Sequence, residues 1–112
     1  FKSVKPVGYP IPTTTTVGEL LRAQNRHPYR PAHVHVLAHK QGFKTLINQT
    51  YVDETDYLTS DVQFGVTEAL IGKLEKHTGP HSEDGDVGEW YTLEHTLTLE
   101  PGESRLPVPP IK

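Results

Sequence analysis

Ten prolines and nine glycines are spread along 112 residues, and they cut the chain into short pieces. Proline removes a backbone donor and glycine frees φ, so each tends to mark a turn or an edge rather than the middle of a long helix. Between them threonine and valine recur, and β-branched side chains suit a pleated surface. The chain is therefore expected to be all-β. Its length is that of one domain over residues 1–112, with a real but modest core.

The clearest strand covers residues 90–100. There Tyr91, Leu93, His95, Leu97 and Leu99 alternate with Thr92, Glu94, Thr96 and Thr98, which places one row inside and the other in water. Residues 30–38 and 44–52 read as two more strands. The stretch His39-Lys40-Gln41-Gly42 between them ends in a glycine suited to a hairpin turn. Only residues 17–24, after a run of threonines, read as a short helix. Residues 66–76 fit either a strand or a helical turn. Residues 77–88 are polar and acidic and read as a surface loop, and 101–112 as an extended tail in which Pro107, Pro109 and Pro110 prevent regular pairing.

Composition removes several functions. The net charge is -3, from 11 basic and 14 acidic residues, and no basic block is present, so nucleic acid is not an expected partner. With no cysteine there are no disulfides and no thiolate ligands, so a metal would have to be held by nitrogen and oxygen. No apolar run is long enough to span a bilayer, and the first residues lack the pattern of a signal peptide. The expected location is the cytoplasm, without membrane attachment.

Against that background, Arg30-Pro31-Ala32-His33-Val34-His35 stands out. On a strand His33 and His35 leave from the same face, while Ala32, Val34 and Val36 occupy the other. A metal can sit between two such imidazoles, although His-x-His also arises in unrelated settings and by chance. Tyr9, in Gly8-Tyr9-Pro10-Ile11-Pro12, lies on a proline-rich loop that can return a phenolate to that metal, or simply packs as turn aromatics do. Arg30 would ordinarily be a salt-bridge partner and Gln49 a solvated or strand-pairing residue. His77, His81, Glu83, Asp84 and Asp86 read as a flexible acidic loop without function. His95 reads as a histidine hydrogen-bonded in the core and not as a ligand.

Taken together, several segments strongly resemble the intradiol ring-cleaving dioxygenases, nearest their catechol and hydroxyquinol branch. They are Gly8-Tyr9-Pro10-Ile11-Pro12, Gly18-Glu19-Leu20-Leu21, Arg26 to His35, Gly42-Phe43-Lys44-Thr45-Leu46, Gln49, and Asp61-Val62-Gln63-Phe64-Gly65-Val66. The likeness covers roughly residues 3–71, and its specificity lies in the joint pattern, with Tyr9 standing 24 positions ahead of His33. It implies a β-sandwich carrying mononuclear non-haem Fe(III), with Tyr9, His33 and His35 as metal ligands. Anionic phenolate stabilises the ferric state, and imidazole completes an oxygen and nitrogen shell. The reaction implied is O2-dependent cleavage of a catechol or hydroxyquinol to a cis,cis-muconate or maleylacetate-type product. Tyr9 would also leave the metal and take a substrate proton. Arg30 would stabilise negative charge developing on the substrate, and Gln49 would line the pocket.

One departure matters. The family's first tyrosine ligand should lie several dozen residues before Tyr9, and only eight residues precede Tyr9 here. Tyr29, Tyr51, Tyr57 and Tyr91 follow it, although one of them could substitute in space. Two readings stay open: the C-terminal part of a longer enzyme, or a shortened, metal-poor or metal-free relative that binds or rearranges an aromatic metabolite. The opening Phe1-Lys2-Ser3-Val4 falls in what should be an interior strand. A second copy of the chain, or the missing N-terminal part, is therefore expected to complete the sandwich.

Overall fold

A computed structural model describes residues 1–80 and 87–108 of the chain. The elements run β1 (Tyr9–Pro10), α1 (Thr16–Ala23), β2 (Tyr29–Arg30), β3 (His33–Ala38), β4 (Leu46–Val52), a 3-10 turn (Glu68–Leu70), β5 (Ile71–Pro80) and β6 (Val87–Glu94). The first two strands pair with each other, and the remaining four form one sheet in the order β3-β4-β5-β6. Pairing within that sheet is antiparallel except between β4 and β5, which run parallel. A parallel neighbour needs a crossover rather than a hairpin. Residues 53–70 provide it, and they carry Asp61 back beneath β2, where the Val62 N–H donates to the Tyr29 carbonyl.

The all-β expectation holds, with corrections to its boundaries. The single α-helix falls where expected. Residues 30–38 do not form one strand, because Pro31 cannot donate to a ladder and splits them into β2 and β3. The hairpin turn lies where expected, with Gly42 at φ +83, a left-handed conformation that glycine adopts without strain. The ambiguous 66–76 stretch resolves into the 3-10 turn followed by the start of β5. The expected loop over 77–88 is strand at both of its ends, since β5 reaches Pro80 and β6 starts at Val87. His81, Glu83, Asp84 and Asp86 lie outside the described residues. The last strand ends at Glu94, six residues short of the expected end at residue 100, although burial continues to alternate through Glu100. His95 is half-buried and makes no hydrogen bond among the described residues, contrary to expectation. Residues 1–8 carry no strand, so the expected interior strand at Phe1 is also corrected.

The core is thin. Leu21 on α1, Ala32 beside the Pro31 break, Tyr51 and Val52 at the end of β4, and Val62 in the crossover are its buried apolar residues. The Cα radius of gyration is 17.5 Å, against about 13 Å for a compact domain of this length. The exposed area is 8634 Å², against roughly 6,200 Å² for a compact monomer of this mass. Part of the excess is apolar: Val4, Val7, Leu37, Ile47 and Phe64 all stand in solvent.

Candidate active site

The register of β3 on β4 assembles one face. His33 lies opposite Tyr51, His35 opposite Gln49, and Leu37 opposite Ile47, and directly opposed residues project to the same side of a sheet. Strand β1 brings in the remaining aromatic residue, because Tyr9 pairs with Arg30 on β2. The Tyr9 and His33 rings are 5.5 Å apart by centroid, the His33 and His35 rings 5.0 Å, and the His33 and Tyr51 rings 5.7 Å. His33 is thus the hub, with Tyr9, His35 and Tyr51 around it. Tyr9 is 43% exposed and His35 is exposed, so both are accessible from outside the chain.

The protonation of His33 follows from its partners. Its Nδ1 lies 2.8 Å from the Pro31 carbonyl, which can only accept, so Nδ1 carries the proton and Nε2 keeps its lone pair. Arg30 Nη1 donates to that lone pair at 3.1 Å. Burial, reinforced by the nearby Arg30 charge, moves the His33 pKa below its usual value despite the opposing Pro31 contact. A neutral imidazole fixed by its distal N–H is the form that binds a metal, and His33 Nε2 would do so by exchanging its Arg30 contact for the metal.

Arg30 itself is 2% exposed, and each of its three guanidinium nitrogens has a protein partner. Its Nε donates to Asp61 Oδ1 at 3.3 Å, and its Nη2 donates to Gln49 Oε1 at 2.7 Å and to the Tyr51 hydroxyl at 3.0 Å. Asp61, 3% exposed, also accepts from the backbone N–H groups of Gly65 at 2.9 Å and Gln63 at 3.3 Å. Burial alone would push the Asp61 carboxyl up. The Gly65 N–H, the Arg30 guanidinium and the Gln63 N–H outweigh it and hold the pKa below the usual carboxylate range. Next to this network is a cavity of about 240 Å³, lined among others by Arg30, His35, Ile47, Gln49, Tyr51 and Leu70. Tyr9 and His33 do not line it.

All five residues singled out from the sequence (Tyr9, Arg30, His33, His35 and Gln49) therefore lie together. Two further participants, Tyr51 and Asp61, were not recognised as such in the sequence. Tyr51 had a signal, since it sits two residues beyond Gln49 on one strand and so shares its face. Of the four later tyrosines, Tyr51 is the one whose ring lies beside His33, whereas Tyr29 and Tyr57 stack on each other at 4.8 Å. Burial pushes the Tyr51 phenol pKa up, against the effect of Arg30, in keeping with its hydroxyl donating to Gln49.

The donor set fits a hard trivalent metal in its chemistry: one phenol oxygen and two imidazole nitrogens, one of them already neutral and oriented. Among the described residues, no group of three or more His, Asp or Glu side chains could hold a metal ion. A metal here would thus depend on the tyrosine.

Comparison with known proteins agrees with this chemistry. Residues 1–96 match a protein-family model described as a dioxygenase. A hydroxyquinol 1,2-dioxygenase of Rhizobium sp. (strain MTP-10005) is 45% identical over 102 residues, covering 88% of this chain and 35% of that protein. An intradiol ring-cleavage dioxygenase of Aspergillus niger is 46% identical over 93 residues, covering 83% of this chain and 28% of its own length. Among solved structures, hydroxyquinol 1,2-dioxygenase from Pseudomonas putida DLL-E4 superimposes with a TM-score of 0.77 at 34% identity, over 88% of this chain and 35% of that one. Catechol 1,2-dioxygenase from Pseudomonas arvilla C-1 gives 0.81 at 28% identity, over 91% and 34%. The chain belongs to the intradiol ring-cleavage dioxygenase family. It spans about a third of the length of these relatives, 28% to 35%.

Proposed function

We propose that this chain provides part of the active site of an intradiol dioxygenase, which opens a catechol or hydroxyquinol ring with O2 in the cytoplasm. Tyr9, His33 and His35 would hold a non-haem ferric ion. When bound, that ion would supply the Lewis acidity that acidifies both hydroxyls of a diol, so that the ring is held as an electron-rich dianion able to react with O2. Tyr9, half in solvent on a two-residue strand, is the donor best able to swing away and accept a substrate proton at its phenolate oxygen. Arg30 keeps its charge and, pinned by Asp61, would stabilise negative charge developing on substrate oxygen. Gln49 would contact the substrate from the cavity, while Ile47 and Leu70 offer apolar surface to its ring. Both oxygen atoms of O2 would end in a cis,cis-muconate or maleylacetate-type diacid.

The observation that best supports this reading is the grouping of Tyr9 and His35 around a neutral, oriented His33, backed by Arg30. The exposed apolar side chains of residues 4, 7, 37 and 47 support a further expectation. Another polypeptide segment, from a second copy or from the N-terminal part of such an enzyme, would cover these side chains and contribute the remaining ligand.

The test is optical and chemical. Full-length protein carrying this sequence, loaded with iron, should show the broad visible band of tyrosinate bound to Fe(III). The band should move on anaerobic addition of catechol, and air should then yield a muconate-type product. A colourless iron-loaded protein that consumes no O2 with catechol or hydroxyquinol would refute the dioxygenase reading in favour of a metal-poor relative that only binds or rearranges an aromatic metabolite.

A further inference from the structure

We infer that Tyr51 is a positioning residue, whose hydroxyl orients the Gln49 carboxamide and the Arg30 guanidinium together so that Gln49 presents its NH2 group to the cavity. The Tyr51 hydroxyl donates to Gln49 Oε1 at 2.7 Å and accepts from Arg30 Nη2 at 3.0 Å. Arg30 Nη2 also donates to Gln49 Oε1 at 2.7 Å, closing a three-membered ring of contacts. Both acceptor positions of the Gln49 carbonyl are thereby used. Its Nε2 makes no hydrogen bond among the described residues, and Gln49 lines the cavity. The groups left for a ligand at this wall are therefore N–H donors, and they suit an oxygen that carries or develops negative charge.

The position of the hydroxyl is itself defended. Tyr51 is 1% exposed, and a Cβ at Gly65 would lie 2.4 Å from its hydroxyl oxygen and 3.2 Å from Asp61 Oδ2. A side chain at residue 65 would have to displace that oxygen. Gly65 also gives its N–H to Asp61, so one short segment seats both supports of Arg30. Without the Tyr51 hydroxyl, Gln49 Oε1 keeps only the Arg30 Nη2 donor, so the carboxamide is held at one point instead of two and its NH2 loses its fixed direction toward the cavity.

The consequence for turnover rests on the ring-cleavage reading above, whereas the orientation of Gln49 does not, and the experiment separates the two. In metal-free full-length protein with 15N-labelled glutamine side chains, Tyr51→Phe should shift the Gln49 NH2 resonances. Gly65→Ala should shift them too, by crowding the hydroxyl instead of removing it. In iron-loaded protein, Tyr51→Phe should keep wild-type iron content yet lose about ten- to hundredfold in kcat/KM for catechol, mostly through kcat, as expected for lost hydrogen bonds around a charged group. Gln49 resonances unchanged in both variants would overturn the inference, as would wild-type kcat/KM in Tyr51→Phe. A shifted Gln49 signal in a protein whose wild type never consumes O2 would support the positioning role and refute only the ring-cleavage reading.

Discussion

Replacing Asp61 with asparagine tests the buried network most directly, because the change is nearly isosteric and every partner is known. Asp61 uses both oxygens as acceptors, Oδ1 for Arg30 Nε and the Gln63 N–H, and Oδ2 for the Gly65 N–H. An asparagine has only one carbonyl oxygen, so its NH2 must face a donor whichever way it is placed. The substitution also leaves Arg30, 2% exposed, without its counter-charge. Breaking a buried pair by removing one partner costs about 3–5 kcal/mol. With a urea slope of about 2 kcal/mol/M, the midpoint should fall by about 2 M. The pH dependence gives a second check. The folded-state pKa of Asp61 lies below its ordinary 3.8, so its contribution is complete above that value and disappears as pH falls through the folded-state pKa. The difference between wild type and Asp61→Asn should thus be flat from about pH 5 to 8 and shrink below about pH 4. A loss under about 1 kcal/mol, or a gap that stays constant into acid, would show that Arg30 does not depend on this carboxylate.

Four further outcomes are expected. His33→Ala should lose bound iron, read by elemental analysis, and full retention would contradict its role as a ligand. Gly8→Ala places a Cβ 2.8 Å from the Arg30 carbonyl oxygen; it should push Tyr9 away from His33 and weaken iron binding about tenfold in competition with a chelator. Gly18→Ala meets the Thr13 backbone at 1.9 Å from its carbonyl oxygen, and because a backbone segment cannot step aside, it should cost about 1–3 kcal/mol or more in a thermal melt. Lys44→Ala breaks an ion pair with Glu100 whose side chains are 57% and 69% exposed; it should change stability by less than about 1 kcal/mol.

The face that carries the site was legible because it depends on strand period alone: His33 and His35 by alternation, and the hairpin that puts Gln49 opposite His35 by the glycine at 42. The short helix was legible from its position after the threonine run. The last strands were less so. Residues 77–80 look like loop in isolation, yet they are held as strand by an eight-position ladder with β6, from Lys73 opposite Glu94 to Pro80 opposite Val87. Beyond Glu94 the reverse occurs: the alternating sequence continues, but the ladder with β5 ends at Lys73 opposite Glu94, and the first residues of β5, Ile71 and Gly72, pair with β4. Local pattern reports which side of a strand is wet, whereas pairing depends on a partner that pattern does not reveal. Asp61 was hidden for the same reason: it is 31 residues from Arg30, and only the crossover between β4 and β5 brings the two together.

The break at Pro31 explains how residues so far apart converge. Had residues 30–38 run as one strand, Arg30 would have continued the β3–β4 ladder past Tyr51. Instead Pro31 and Ala32, both buried, let the chain change partners between adjacent pairs. Arg30 stays with β1, whose Tyr9 is opposite it, and His33 starts the pairing with β4, whose Tyr51 is opposite it. The Ala32 carbonyl still accepts the Val52 N–H at 3.0 Å, so the switch is anchored to β4 as it occurs. A single turn of chain thus delivers an arginine from one sheet and a histidine from the other to the same point, 3.1 Å apart, with the Pro31 carbonyl fixing the histidine tautomer from between them. The His33 imidazole and the charge beside it therefore share one rigid support, and a substitution that straightened this segment would separate them even with every side chain of the site unchanged.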